Sequence, residues 1–334
     1  MSAALVSDPA RVTARARVLA TLLPRLVAPV MFGAVLVTFT LLSGHFLTAT
    51  NLLQVADEAA LLAIVAIGMT VVVRAGGIDL SIGVALDLGA LTTAHLLSNG
   101  YVTVVALVGG VLTGVLIGAV NAVLVLGLRI TPFMATLSVW FVGTSAQQIL
   151  TDGGSPVYLR TGTLPLDFVQ LSDAELLGLS ASAWTAIVMA VLVGAALTLT
   201  RWGRVLTMSG DQPEASRVVG VRTRLTLGTA YVVAAALAGV AGFLLVSRSN
   251  GYVPNSGQAY LLDAVGAVFV GATLSSRGFT TVVGTLVGVL LFALLANGLS
   301  LAGISYFWEG LARGVVLLTV LVVVTRLRKR ARSG

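Results

Sequence analysis

The chain has no cysteine, only two histidines and few charges: 10% of its 334 residues are Asp, Glu, Lys or Arg. Without cysteine there can be no disulfide and no thiolate metal site. His45 and His95 lie far apart in no metal-ligand spacing, so no metal site is expected. A soluble globular chain carries about 25% charged residues. The scarcity of charge, with 57% hydrophobic residues and a mean hydropathy of +1.02, therefore excludes an ordinary soluble fold. The phosphate-loop pattern GxxxxGK[ST] is also missing, so no ATP site of that kind is expected. No nucleophile, base and orienting residue group together, and no catalytic residue is assigned.

What the chain does have is long apolar runs. Crossing about 30 Å of hydrocarbon takes about 20 helical residues. Windows of that length recur at about Leu26 to Phe46, Val55 to Val73, Ser81 to Leu97, Val102 to Leu126, Pro132 to Leu150, Trp184 to Thr200, Leu225 to Val246, Leu261 to Leu274, Thr281 to Leu299 and Phe307 to Thr325. The expected fold is an all-α polytopic membrane protein of about ten transmembrane helices. The Leu261 to Leu274 window is short for a straight crossing and reads as a broken helix. Polar intervals divide the chain into a tail at 1–25, a transmembrane domain at 26–325 and a basic tail at 326–334. Met1 to Leu23 holds Arg11, Arg15 and Arg17, with no long apolar run before a small-residue cleavage site, and reads as an uncleaved cytoplasmic tail.

The net charge of +7 could suggest nucleic acid, but the arginines sit in short loops beside apolar spans. There they set orientation, and no nucleic-acid partner is expected. With both ends on one side, only Arg160 and Arg248 fall opposite and Arg313 falls within a span. That bias makes the N- and C-termini cytoplasmic, loop 151–183 external and loop 201–224 cytoplasmic. In the external loop, Ser172 and Glu175 fit a capping box and predict a short surface helix from Ser172 to Leu177.

Between Val71 and Leu97 the apolar pattern is interrupted by Arg74, Gly76, Gly77, Asp79, Ser81 and Asp87. Lipid offers unpaired backbone and carboxylates no partner, so this segment must be enclosed by protein, line a wet cavity or lie at the interface. The glycines let the chain leave helical geometry, and Asp79 and Ser81 can cap the helix that follows. The segment is then either a plain helix cap or a broken helix beside a translocation path. Asp87 and Arg313, costly against lipid, are expected to face the bundle or each other.

Gly110 and Gly114 followed by Asn121 echo Gly284 and Gly288 followed by Asn297, with the helices running oppositely, as inverted repeats would. Small-xxx-small spacing also serves plain helix packing. Asn121 and Asn297 could bond the hydroxyls of a ligand or neighbouring helices. The candidate substrate pathway is Gly76, Gly77, Asp79, Ser81, Asn121 and Asn297. In Arg201 to Arg224, residues Asp211, Pro213 and Glu214 open a short helix running to about Val219 and ended by Gly220. It is either a solvated connection or a docking knob.

Several strings from Asn51 to Val324 resemble the permease subunits of bacterial ABC importers of the ribose/sugar and branched-chain amino-acid superfamily, the sugar branch above all. They are TNLLQ at Thr50 to Gln54, IGMTVVVRAGGIDLSIG at Ile67 to Gly83, TPFMATLSV at Thr131 to Val139, TDGGSPV at Thr151 to Val157, GDQPEASRVVGV at Gly210 to Val221, and FWEGLARGVVLL at Phe307 to Leu318. The resemblance implies a multi-pass subunit of the bacterial plasma (inner) membrane that forms half of a pore for a monosaccharide or similar polar molecule. It implies an ATP-binding subunit that holds ATP and Mg, an extracytoplasmic substrate-binding protein, and a second permease copy or related permease as homo- or heterodimer partner. No cofactor is implied in this chain. Family permeases dock on the ATPase through a Glu-Ala-Ala-x-x-x-Gly coupling helix. Here Glu214-Ala215-Ser216 and Gly220 fit, with Asp211 and Pro213 before them and Ser216 replacing the second alanine. The segments Phe141 to Gln148 and Gly271 to Gly278 depart from the family pattern and leave the substrate open. The rival readings are an ion-coupled secondary transporter using Asp79 and Asp87, and the branched-chain amino-acid or metal-chelate branch, against which GGIDLS argues.

Overall fold

A computed structural model describes residues 9–160, 162, 164–218, 220, 222–275, 279–305 and 307–333, and side chains from residue 26 to residue 326 apart from a few within that range. Thirteen α-helices and four two-residue strands are described. Five helices are long and apolar enough to cross a membrane among the described residues: α2 (Ala49–Arg74), α4 (Thr103–Leu126), α7 (Ala181–Leu199), α10 (Thr223–Ser249) and α12 (Val282–Leu301). The apolar part of α1 (Pro9–Leu42), α3 (Ile82–Ser98) and α11 (Gly257–Ala272) are shorter. Helix α5 (Pro132–Leu150) begins on proline, whose missing N–H costs nothing in a first turn, and α13 (Phe307–Ser333) ends the chain. The helix ends expected at Pro132, Leu126 and Leu150 coincide with the observed ones.

Helices α2 and α10 are apolar all round because protein encloses them, whereas α4 and α7 turn one face outward. On α4 the outward face is Val104, Val108, Leu112, Leu116 and Val123, and the inward stripe is Ala106, Gly110, Gly114, Gly118 and Asn121. That stripe lets α4 lie backbone to backbone on α10, where a Cβ at Gly114 would overlap the Ala235 carbonyl. The echoing segment behaves alike: Gly284 and Gly288 of α12 seat against Gly271 and Ala267 of α11. Helix α4 packs on α3 and α10, and α12 packs on α11 and α2. The third helix of each group of three thus lies against the first helix of the other group.

The loop between α5 and α7 corrects one expectation. No helix spans Ser172 to Leu177; α6 lies earlier, at Leu166–Asp173, and Ser172 Oγ donates to the Ser247 carbonyl at 2.9 Å. Glu175–Leu176 (β2) and Leu179–Ser180 (β3) form a hairpin instead. Its two turn residues, Leu177 and Gly178, have φ of 56° and 78°. Paired positive φ angles match the strand twist of a two-residue hairpin, and the turn prevails over the capping pattern. Strand β1 (Val157–Tyr158) pairs antiparallel with β4 (Gly251–Tyr252) and ties this loop to the segment before α11.

Candidate functional site

The interrupted segment is a true break. Helix α2 stops at Arg74, Gly76 turns the chain with φ of 85°, and α3 starts at Ile82. Asp79 is fully buried, and its Oδ1 accepts the Ser81 amide at 2.8 Å and the Ser81 hydroxyl at 2.7 Å. Asn121 Nδ2 donates to Ser81 Oγ at 2.6 Å, which binds α4 to the break. Asp79 therefore does the capping. Ser81, expected to share it, makes no side-chain cap bond because its hydroxyl is spent on Asp79 and Asn121. Asp79 Oδ2 and Asn121 Oδ1 stay buried without a protein partner among the described residues. Gly77 lies against Leu227 and Tyr231, leaving no room for a side chain.

A second helix start adjoins the first. The initial turns of α3 and α11 meet at Gly83 and Gly257, where a Cβ on either would strike the other's carbonyl. From there the helices diverge, α3 towards the start of α4 at Ala106 and α11 towards the start of α12 at Gly284. With 17 and 16 residues they are about 25 Å long, short of a full crossing. Each start faces a carboxylate, the charge that a helix N-terminus favours: Asp79 at α3, and Asp87, whose Oδ1 accepts the Gly257 amide at 2.8 Å, at α11. Gln147 of α5 braces the latter, its Oε1 accepting from the Tyr252 hydroxyl at 2.8 Å and the Asn255 amide at 3.0 Å. Burial holds the Tyr252 phenol well above its ordinary range, so it remains a donor.

The break also connects to the loop that leads to α10. Helix α8 (Arg201–Asp211), within the expected loop 201–224, carries Gly210 against Gly76, with no space for a Cβ on Gly210 between it and the Arg74 carbonyl. Arg74 Nε donates to Thr207 Oγ1 of α8 at 2.7 Å and its NH1 to the Thr280 carbonyl at 3.3 Å. Beyond α8, helix α9 (Pro213–Val218) forms the expected short helix; its expected end, Val219, is outside the described residues. Asp211, Pro213, Glu214 and Ala215 are exposed, and Gly220 has φ of 80°. Ser216 is buried, and its hydroxyl donates to the Met208 carbonyl at 2.8 Å, locking α9 onto α8. An alanine there could not make that bond.

Asn297 lies elsewhere. It exchanges paired amide bonds of 2.9 Å with Asn51 of α2, and Asn51 also donates to the Phe46 carbonyl at 2.8 Å. Both asparagines border a cavity of about 580 Å³ among α2, α11, α12 and α13. Gln54, Glu58, Tyr260, Asp263, Ser300, Glu309 and Arg313 supply its other polar groups. Arg313 pairs with Asp263 at 2.6 Å and Glu309 at 2.9 Å, and not with Asp87, one of the two arrangements expected. Of the candidate pathway, Gly76, Gly77, Asp79, Ser81 and Asn121 thus come together at the break, and Asn297 faces the cavity. No role is assigned to Asp263 or Glu309 from sequence. Their signal was available: carboxylates in apolar spans, with Glu309 and Arg313 four residues apart.

A family model for the permease component of branched-chain amino acid transport systems matches residues 51–324. The ribose import permease protein RbsC of Bacillus subtilis is 32% identical over 284 residues, covering 85% of this chain and 87% of that protein. RbsC of Escherichia coli strain K12 is 33% identical over 284 residues, with 84% and 88% covered. The autoinducer 2 import system permease protein LsrC of Salmonella paratyphi B is 31% identical over 288 residues, with 86% and 82% covered. No solved structure gives a significant match.

Proposed function

The chain belongs to the branched-chain amino acid transport system / permease component family, as a multi-pass inner-membrane permease subunit of an ABC importer, and we propose that it carries a monosaccharide or similar polar molecule. The family description mentions branched-chain amino acids, but the relatives cited above are ribose and autoinducer 2 permeases, which supports the sugar branch. They do not favour the ion-coupled alternative. ATP and Mg then belong to a partner ATPase, and a substrate-binding protein and a second permease complete the importer. About ten spans with both termini cytoplasmic fit the arginine distribution, with the membrane domain at 26–325.

The geometry that supports this reading best is the α8–α9 hairpin. An exposed acidic knob, Asp211 to Ala215, is locked by Ser216 to a helix that abuts the break at Gly76. A push on α9 would pass through Gly210 and Arg74 to the two helix starts, with Asp79, Ser81 and Asn121 holding the break beside the path. ATP closure in the partner would rock two such halves between outward and inward states.

The test is reconstitution with the partner ATPase and binding protein. ATP should drive D-ribose uptake that survives collapse of the ion gradients; uptake that follows an ion gradient without ATP would reject the reading. Gly220→Val forces a branched residue into a positive φ, a strain of about 1–3 kcal/mol, and should cut uptake at least tenfold while the ATPase still co-purifies. Wild-type uptake by this variant would remove α9 from coupling.

A further inference from the structure

Ionisable side chains within apolar spans are costly and are kept where they face a partner or a wet path. Asp263 of α11 and Glu309 and Arg313 of α13 form such a group. They are half-buried on the wall of the cavity that Asn51 and Asn297 border. Arg313 Nε is a buried donor with no partner among the described residues. Each carboxylate spends one oxygen on the guanidinium, and neither second oxygen has a protein partner among the described residues. The second carboxylate oxygens and the guanidinium that holds the pair therefore share one wall. Leu62, Phe292, Ala293 and Ala296 make another wall apolar. The volume, about 580 Å³, lies in the range of small-molecule sites, roughly 300–1,000 Å³.

Chemistry narrows the occupant. Glu58, Asp263 and Glu309 outweigh Arg313, so an anion is repelled. Arg313 offsets one of the two carboxylates paired with it, and Gln54 Nε2 donates to Glu58 at 3.0 Å, which weakens the pull on a cation. A hydroxyl both donates and accepts, so neighbouring hydroxyls can donate to the carboxylate oxygens and accept from the guanidinium, while the C–H face of a ring covers the apolar wall. We propose that this cavity seats a neutral, ring-shaped polyol in this half of the pore, its adjacent hydroxyls bonded by Asp263, Glu309 and Arg313. The proposal rests on the importer reading, and it adds the residues that hold the substrate and the exclusion of charged analogues. The cavity is built from the starts of α2 and α13 and the end of α12, on the external side in the proposed topology, and from the first turns of α11, whose start meets that of α3 deeper in the bundle. The external side is where a binding protein delivers.

The cysteine-free chain allows a direct test in the reconstituted importer. Single replacements Ala296→Cys and Ser300→Cys on the cavity, and Ser155→Cys on an exposed loop, are labelled with a charged methanethiosulfonate reagent. D-Ribose supplied with the binding protein should slow labelling at the cavity positions about tenfold and leave Ser155→Cys unchanged. Asp263→Asn and Glu309→Gln should each raise the KM for ribose uptake about tenfold. Wild-type uptake of ribose with unprotected cavity cysteines and unchanged KM values would overturn the proposal and leave the importer reading standing. Uptake of ribose 5-phosphate or choline in preference to neutral sugars would overturn the neutral class. A wild-type importer that moves no sugar with ATP would reject both readings at once.

Discussion

Asn121 and Asn297 each follow the glycine pair of an echoing segment, seven residues after Gly114 and nine after Gly288, and their surroundings differ. Asn121 is sealed between α4 and the break, bonded to Ser81, with a buried oxygen that finds no protein partner among the described residues. Asn297 pairs with Asn51 at the edge of a cavity that holds charged groups. The same contrast separates the sides of the bundle to which they belong. Around α3, α4 and α10, glycines bring backbones together and leave no room for solvent. Around α2, α11, α12 and α13, the glycines of α12 make the same close approach to α11, and the helices part beyond it, where polar side chains fill the margin. The echoed glycines therefore seat backbones on both sides, whereas only the second asparagine borders an open volume.

Substitutions can test how deep that difference goes. The largest effect is expected at Gly114, where a Cβ would overlap the Ala235 carbonyl. Gly114→Val should force α4 off α10 and abolish the monodisperse species in detergent, read by size-exclusion chromatography. Ala293→Val, on the cavity wall, should leave that species intact. If both variants fold equally well, the contrast between a packed and an open side fails.

The asparagines give a finer measure. Asn121→Ala strips Ser81 of a buried partner and should cost about 1–3 kcal/mol, lowering the unfolding temperature. Asn297→Ala leaves Asn51 its bond to the Phe46 carbonyl and a cavity through which water can reach it. Its cost should be nearer the ~0.6 kcal/mol average of interhelical bonds in membranes. Equal shifts in the unfolding temperature would mean that the cavity gives Asn51 no relief. The smallest effect is expected at Gly314 of α13, which has open space where a Cβ would stand. Gly314→Ala should raise stability by up to about 1 kcal/mol through helix propensity alone. A loss would show that α13 needs a close approach there.

Much of this fold is legible in the chain before any coordinates. Apolar run length locates the spans, because a helix that meets lipid must satisfy its own backbone, and that demand is local. Proline at Pro132 and the glycines at Gly76, Gly77 and Gly220 mark a helix start, a break and a stop for reasons that concern one or two residues. The resemblance to sugar permeases is borne out by relatives that match most of the chain. Local reading failed at Ser172 to Leu177, where a capping pattern competed with a hairpin turn and the turn prevailed. It also missed α8, whose amphipathic face becomes meaningful only against its neighbours, burying Gly203, Leu206 and Ser209.

Composition and periodicity thus settle that the chain is helical, membrane-embedded, interrupted at Gly76 and equipped with a short helix from about Glu214 to Val219, which the structure places at Pro213–Val218 among the described residues. Only the tertiary structure decides which polar groups meet. Asn51 finds Asn297 across 246 positions, Asp87 caps a helix that begins 170 positions later, and Arg313 chooses Asp263 and Glu309 over Asp87. Secondary structure follows from neighbours along the chain, whereas a cavity exists only where separate helices fail to touch, and its lining is set by how whole helices pack.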